Sequence, residues 1–278
     1  MTFPDRLRVV QARKDSLLCV GLDVDTQRLP SSLKQSRTGV FEFITAIVEA
    51  THDLVCAYKP NLAFFEAMGS EGWDLLRRTV ALIPQNIITI GDGKRGDIGN
   101  TGEQYAAALF DDLKFDAVTI SPYMGRDSVE PFLTRPGKGV FLLALTSNPG
   151  SADFQRVKVG GRPLYEMVIR ISGKWGPRLR SGQASGIGYV VGATHPSELK
   201  RIRALAPNAP LLIPGVGSQG GDLEASVRAG VTRHGDLAVI NASRSILYAS
   251  SGRDFAKAAR AEAQRLRDAM ECVRRPNA

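Results

Sequence analysis

Long hydrophobic runs are missing: no stretch of this 278-residue sequence approaches the ~18 to 20 apolar residues of a membrane span. The segment Met1-Thr2-Phe3-Pro4-Asp5-Arg6 carries charge and no apolar h-region, so no secretory leader is expected and a cytoplasmic location is. Cysteine is scarce. Cys19, Cys56 and Cys272 are odd in number and lack metal-like spacing, which excludes a disulfide framework and a zinc motif; the first two sit in apolar runs and read as buried thiols. Histidine is equally sparse, and His52, His195 and His234 are too scattered to form a metal-ligand cluster. His52 ends a helical pattern and reads as structural, whereas His195, just before Pro196, either lines a site or starts a helix. Basic stretches interleaved with aromatics are absent despite a formal charge of +8, because acids interrupt the basic residues, as in Arg260-Ala261-Glu262 and Arg267-Asp268. Nucleic-acid binding is therefore not expected. A mildly positive field that attracts an anionic substrate accounts for the same charge.

What is present is a repeat of strand and helix. Apolar, β-branched runs occur at Leu17–Leu22, Leu54–Tyr58, Ile87–Ile90, Ala117–Ile120, Val140–Leu145, Ile187–Val191, Leu211–Ile213 and Leu237–Ile240. Several are continuously apolar, as strands covered on both faces should be. Helical patterns fill the gaps, among them Phe41–Ala50, Gly72–Ile83, Gly102–Phe110, Leu164–Trp175, Pro196–Ala206 and Asp222–Ala229, with Phe255–Arg274 closing the chain. Eight βα units in a chain near the ~250 residues typical of the fold predict a single-domain (β/α)8 TIM barrel over residues 1–278. One connection departs from the pattern. Residues 147–163 are rich in Gly, Pro and basic side chains and predict a long loop after strand five, either an inconsequential insertion or a loop at the barrel mouth.

Barrel active sites are built where strands end, so the polar residues there can be taken as a set. Strand one ends in Asp23, strand two in Lys59, strand three in Asp92-Gly93-Lys94, strand five in Thr146-Ser147 and strand eight in Asn241-Ala242-Ser243-Arg244. Asp92 and Lys94 are two apart, so both point to one face while the chain stays extended. Gly91, Gly93, Gly96 and Gly99 punctuate the stretch and allow a sharp turn that carries Asp97 away from strand geometry. With Lys59 alongside, lysines and carboxylates would alternate, each keeping its neighbours charged. Solvated loop charges would explain a lone D-x-K-x-x-D; the position at the end of strand three, beside Asp23 and Lys59, argues for a site.

After strand seven, Pro214-Gly215-Val216-Gly217-Ser218-Gln219-Gly220-Gly221-Asp222 matches G-x-G-x-x-G. A dinucleotide fingerprint belongs to the first βα unit of a doubly wound sheet, with an acid ending the next strand. Here it is the seventh unit, and Arg244 follows the next strand. Gly215, Gly217, Gly220 and Gly221 with Arg244 therefore read as a phosphate grip, the alternative being a tight turn alone.

These residues, in this order, resemble the orotidine 5′-phosphate decarboxylases. The resemblance spans nearly the whole chain: Gly21-Leu22-Asp23, Lys59-Pro60, Asp92-x-Lys94-x-x-Asp97-Ile98-x-x-Thr101, Ser147, the Pro214–Gly221 run and Arg244-Ser245. Lys59-Pro60-Asn61 and the 147–163 loop depart from the commonest members and resemble a divergent, type 2-like branch. The resemblance implies decarboxylation of orotidine 5′-phosphate to uridine 5′-phosphate in pyrimidine biosynthesis, without metal or cofactor. It implies that Lys94 donates the proton, flanked by Asp92 and by Asp97 of a partner subunit, with Lys59 completing the array. It places Asp23 and Lys59 on the ribose together with Thr101 and Asp97 from across a homodimer, Ser147, Ile98 and Pro214 on the pyrimidine, and Gln219 and Arg244 on the phosphate. Related sugar-phosphate barrels, the 3-keto-gulonate phosphate decarboxylases and hexulose-phosphate synthases, share D-x-K-x-x-D but use a metal and an acid after strand two. Lys59 stands at that place. A non-catalytic phosphate-binding barrel would have no need of Lys94 between two acids.

Overall fold

Apolar runs without polar alternation can be satisfied only where both faces of a strand are covered, and a parallel barrel wrapped in helices provides that cover. A computed structural model describes residues 1–175, 186–216 and 221–275. Its strands are β1 (Leu18–Gly21), β2 (Ala57–Lys59), β3 (Ile88–Arg95), β4 (Ala117–Ile120), β5 (Gly139–Leu145), a small hairpin of β6 (Lys158–Val159) and β7 (Arg162–Pro163), then β8 (Ile187–Val191), β9 (Leu211–Pro214) and β10 (Ala238–Ala242). The eight strands outside the hairpin close into a parallel barrel in chain order, β1 pairing with both β2 and β10. The predicted (β/α)8 barrel is the observed fold. Among the described residues no helix is long and apolar enough to cross a membrane.

Helices present one apolar stripe to the barrel. The helix Gly39–Thr51 buries Phe43, Ile44, Ile47 and Val48, and the helix Phe255–Arg274 buries Ala259, Ala263, Leu266 and Met270 at helical spacing. The predicted helix Gly102–Phe110 begins earlier, at Gly99, and widens into a π-helical turn over Ala107–Asp112. The 147–163 connection is not featureless: it folds into a short helix, Ser151–Phe154, followed by the β6–β7 hairpin.

The sequence pattern did not announce the element that closes the bottom of the barrel. A helix over Phe3–Lys14, capped by Thr2 through the Asp5 N–H, packs Phe3, Leu7 and Val10 into the cluster formed by Cys19, Ile90, Phe141, Leu212 and Val239. Phe3 meets Phe141 edge-on at 5.8 Å. On the same helix the buried Gln11 side chain donates to the Ala238 carbonyl at 2.6 Å and accepts from the Leu237 N–H at 2.9 Å. Leu237 has φ +59°, a left-handed conformation that a bulky side chain adopts only when its surroundings hold it there. Replacing Gln11 by Leu keeps the volume but strands two buried backbone groups, so a loss of about 2 to 5 kcal/mol in unfolding free energy is expected. Equilibrium urea unfolding measures it; a loss under about 1 kcal/mol would mean the pair contributes nothing specific.

Candidate active site

Strand ends converge on a cavity of about 770 Å³ lined by Asp23, Lys59, Asp92, Lys94, Ser147, Pro214, Gly215 and Arg244, and floored by Leu143, Val190 and Leu212. The polar residues predicted from the strand ends do share one mouth. Its centre is Asp92, whose Oδ2 accepts from Lys59 Nζ at 2.8 Å and whose Oδ1 accepts from Lys94 Nζ at 2.7 Å. Burial pushes the Asp92 carboxyl up, but the two ammonium charges and their hydrogen bonds outweigh it and hold it well below the usual carboxylate range. Lys59 is pulled down by its own burial and pushed up by Asp92 and Asp23, and the carboxylates win. Both groups are therefore charged at neutral pH.

The two lysines differ in exposure. The Lys59 side chain is 4% exposed, whereas that of Lys94 is 47% exposed and opens to the cavity. Lys59 is a fixed charge and Lys94 an accessible one. Lys94 also departs from strand geometry, with φ +47° and a register shift between Gly91 and Arg95. Thr119 holds that turn: its Oγ1 accepts from the Lys94 N–H at 3.0 Å and donates to Asp92 Oδ1 at 2.9 Å. The left-handed residue is thus Lys94 itself, with Gly99 (φ +54°) the one glycine of the four predicted breakers that takes that conformation. Thr119 was not singled out by sequence, although it is the one polar side chain of the run Ala117–Ile120.

Asp23, just past β1, accepts from Ser243 Oγ at 3.0 Å through Oδ2. Its Oδ1 is buried, 3.9 Å from Lys59 Nζ, and among the described residues has no hydrogen-bond partner. A buried carboxylate oxygen left unsatisfied at a cavity wall is an acceptor waiting for a donor on a ligand. The rim beside it was not foreseen either. The Asp25 N–H donates to the Tyr248 hydroxyl at 2.7 Å, and the Arg28 guanidinium lies 3.9 Å from the centre of the Tyr248 ring.

At the opposite end, Gly215 (φ +97°) turns the chain out of β9 into the glycine run. Gly221 returns it, its N–H bonded to the Gly215 carbonyl at 3.1 Å, and a Cβ at position 221 would come within 2.6 Å of Ala193 Cβ. Arg244 is exposed and lines the cavity from the start of the helix Arg244–Leu247. Gly217, Gln219 and Gly220 of the predicted phosphate grip lie outside the described residues. Asp97, Ile98 and Thr101 are not brought to this cavity. They sit beyond β3 at the start of the helix Gly99–Ala106, Asp97 accepting the Ile98 N–H at 2.8 Å and Ile98 standing 49% exposed. Among the described residues no group of three or more His, Cys, Asp or Glu side chains is arranged to hold a metal ion.

The sequence profile described as "Orotidine 5'-phosphate decarboxylase / HUMPS family" matches residues 16–260. The chain belongs to this family. It is 51% identical over 278 residues to the orotidine 5′-phosphate decarboxylase of Dechloromonas aromatica, covering 99% of this chain and all of that one. The corresponding protein of Azoarcus sp. is 50% identical over 279 residues, with 99% and 100% covered. Among solved structures, the Leishmania donovani OMP decarboxylase superposes with a TM-score of 0.84 at 40% identity, covering 99% of each chain. The matched residues of the decarboxylase family run from before β1 into the last helix, so the whole barrel and its mouth fall inside the likeness.

Proposed function

We infer that this chain decarboxylates orotidine 5′-phosphate to uridine 5′-phosphate, the reaction named for its decarboxylase relatives, and that Lys94 protonates carbon 6. The observation that carries the reading is the Lys59–Asp92–Lys94 array at the cavity wall, with its one accessible ammonium. Breaking the bond between carbon 6 and the carboxylate leaves its electron pair in the ring plane, where the ring carbonyls cannot absorb it in the usual way. A cation fixed beforehand stabilises that charge without reorganisation. Carbon dioxide departs, a proton passes from Lys94 Nζ to carbon 6, and the half-exposed lysine regains a proton from water.

Around that step, Asp23 and Lys59 hold the ribose, the unsatisfied Asp23 Oδ1 accepting one hydroxyl. Ser147 and Pro214 contact the pyrimidine, and Arg244 with the glycine run and Gln219 binds the phosphate. Phosphate binding, remote from carbon 6, supplies energy that positions the ring. Asp97, Ile98 and Thr101 complete the site of a second subunit. This is supported by the large apolar side chains left exposed after β3 and after the neighbouring β4, Ile98, Tyr105, Tyr123 and Met124, since exposed apolar surface marks contact sites. The enzyme is a cytoplasmic homodimer that needs neither metal nor cofactor. Lys59 at the end of the second strand, where the metal-using sugar-phosphate barrels carry an acid, favours this reading over theirs.

Purified protein is expected to consume orotidine 5′-phosphate with EDTA present, followed by the change in ultraviolet absorbance as the conjugated carboxylate is lost. Absence of turnover, or turnover only after a divalent metal is added, would sink the reading.

A further inference from the structure

The 147–163 excursion carries Asn148 and Gln155 into the cavity lining, next to Thr146 and Ser147. Gln155 Nε2 donates to Thr146 Oγ1 at 2.9 Å, Thr146 Oγ1 donates to Asn148 Oδ1 at 2.6 Å, and the Thr146 N–H donates to Gln155 Oε1 at 2.7 Å. One wall of the pocket is thus a hydrogen-bonded unit whose far end is Gln155. The base of the excursion is closed by Leu164 N–H to Val157 O at 2.9 Å and Tyr165 N–H to Gln155 O at 3.0 Å. Its outer side gives little anchorage, because Phe154, Val157 and Val159 are exposed.

Anchorage comes from the residue after Gln155. Arg156 Nη1 lies 2.6 Å from Glu198 Oε1, and Nη2 lies 2.9 Å from His195 Nδ1. A guanidinium only donates, so His195 Nδ1 is the acceptor of this bond. Burial raises the Glu198 carboxyl, but Ser197 and Arg156 outweigh it and bring it down to about 2, so the ion pair persists at working pH. Among the ion pairs of the described residues, Arg156–Glu198 is the one that joins the excursion to another βα unit.

The segment it grips lies between the two ends of the pocket. The Gly192 N–H donates to the Leu145 carbonyl at 2.8 Å at the end of β5, and the Ala193 N–H to the Pro214 carbonyl at 2.9 Å at the end of β9. His195 lies two residues further on, its own N–H donating to the Gly192 carbonyl at 3.3 Å.

Building on the decarboxylase reading, we propose that Arg156 is a positioning residue, whose fork onto Glu198 and His195 holds the Gln155–Thr146–Asn148 wall in register with the glycine-run end of the pocket. It does not touch the reacting atoms. Its loss loosens a binding wall and leaves the lysine array alone, so the effect falls on substrate binding rather than on the chemical step.

The test compares wild type, Arg156→Met, Arg156→Lys, Glu198→Gln and the double variant Arg156→Met/Glu198→Gln, each assayed for kcat and KM with orotidine 5′-phosphate and for melting temperature. Arg156→Met is expected to raise KM at least about 10-fold with kcat within about 3-fold, and to shift the melting temperature by less than about 3 °C. Arg156→Lys should recover part of the KM, because the ion pair returns without the second donor. The double variant should be no worse than the poorer single one, since both remove one interaction. A KM within 2-fold of wild type for Arg156→Met, a kcat loss without a KM change, or additive effects in the double variant would overturn the proposal. So would failure of Arg156→Met to fold while Arg156→Lys and Glu198→Gln both keep wild-type KM. Wild-type protein that does not turn over the substrate overturns the functional reading instead, which separates the two failures.

Discussion

Lys94→Ala is expected to lower kcat/KM for orotidine 5′-phosphate by at least about 10⁴-fold, because it removes a general acid worth ~10²–10⁴ and a pre-placed charge worth ~10²–10³ at once. The protein should remain folded. Asp92 keeps Lys59 on Oδ2 and Thr119 on Oδ1 after the substitution, so no buried carboxylate is left without partners. The backbone cost at φ +47° is also the same for alanine as for lysine, both being L-residues with a Cβ. Circular dichroism and the melting curve check the fold, and product formation checks the activity. Lys94→Arg refines the result, since a guanidinium restores the charge but cannot give up its proton at working pH. Residual activity within about 100-fold of wild type in Lys94→Ala would assign proton donation elsewhere, because the loss of a general acid alone costs that much. Lys59→Ala is not an equivalent experiment. It removes a buried cation and leaves Asp92 and Asp23 short of a partner, a change that costs about 3 to 5 kcal/mol of stability in buried pairs, so lost activity there would not distinguish chemistry from folding.

That difference between the two lysines marks where the sequence stops being legible. The strands could be read because parallel strands in a barrel are apolar on both faces, and Ala117–Ile120 and Ile187–Val191 match to the residue. Asp23, Lys59, Asp92 and Lys94 were legible because they end strands, and the barrel brings strand ends together whatever the loops do. Their ranking was not. Nothing in the string D-x-K says that Lys94 lies in a left-handed turn, since this depends on a hydrogen bond that its N–H donates to Thr119, 25 residues away on the next strand. The helix Phe3–Lys14 escaped for a similar reason: its apolar face is short, and what makes it part of the core is the open bottom of the barrel beneath it. The excursion after β5 looked irregular because its order rests on side chains, Gln155 on Thr146 and Arg156 on Glu198, rather than on periodicity. Tyr248 was invisible as a rim residue because the Asp25 N–H that reaches it is 223 residues earlier.

Mixing two inactive variants should restore activity. If Asp97 serves the neighbouring subunit's site, then Asp97→Ala and Lys94→Ala damage different halves of a composite centre. A dimer with one chain of each kind has one site carrying both lesions and one site carrying neither. Random exchange makes half of the dimers mixed, and one site in two of those is intact, so about one quarter of wild-type activity per site is expected from an equal mixture when subunits distribute by symmetry-related pairing. Each variant alone should retain far less, Asp97→Ala because on this reading every site then lacks the carboxylate supplied by its neighbour. In this chain Asp97 lies past the end of β3, outside the cavity lining and beside the exposed Ile98. Mixing under conditions that permit exchange, followed by the same absorbance assay, decides it. Activity of the mixture equal to the mean of the two separate variants, with exchange verified by differently tagged chains, would place Asp97 in its own subunit's site or outside catalysis. Recovery near one quarter would make the Asp92–Ile98 run a shared element, with Asp92 and Lys94 acting in one pocket and Asp97 in the next.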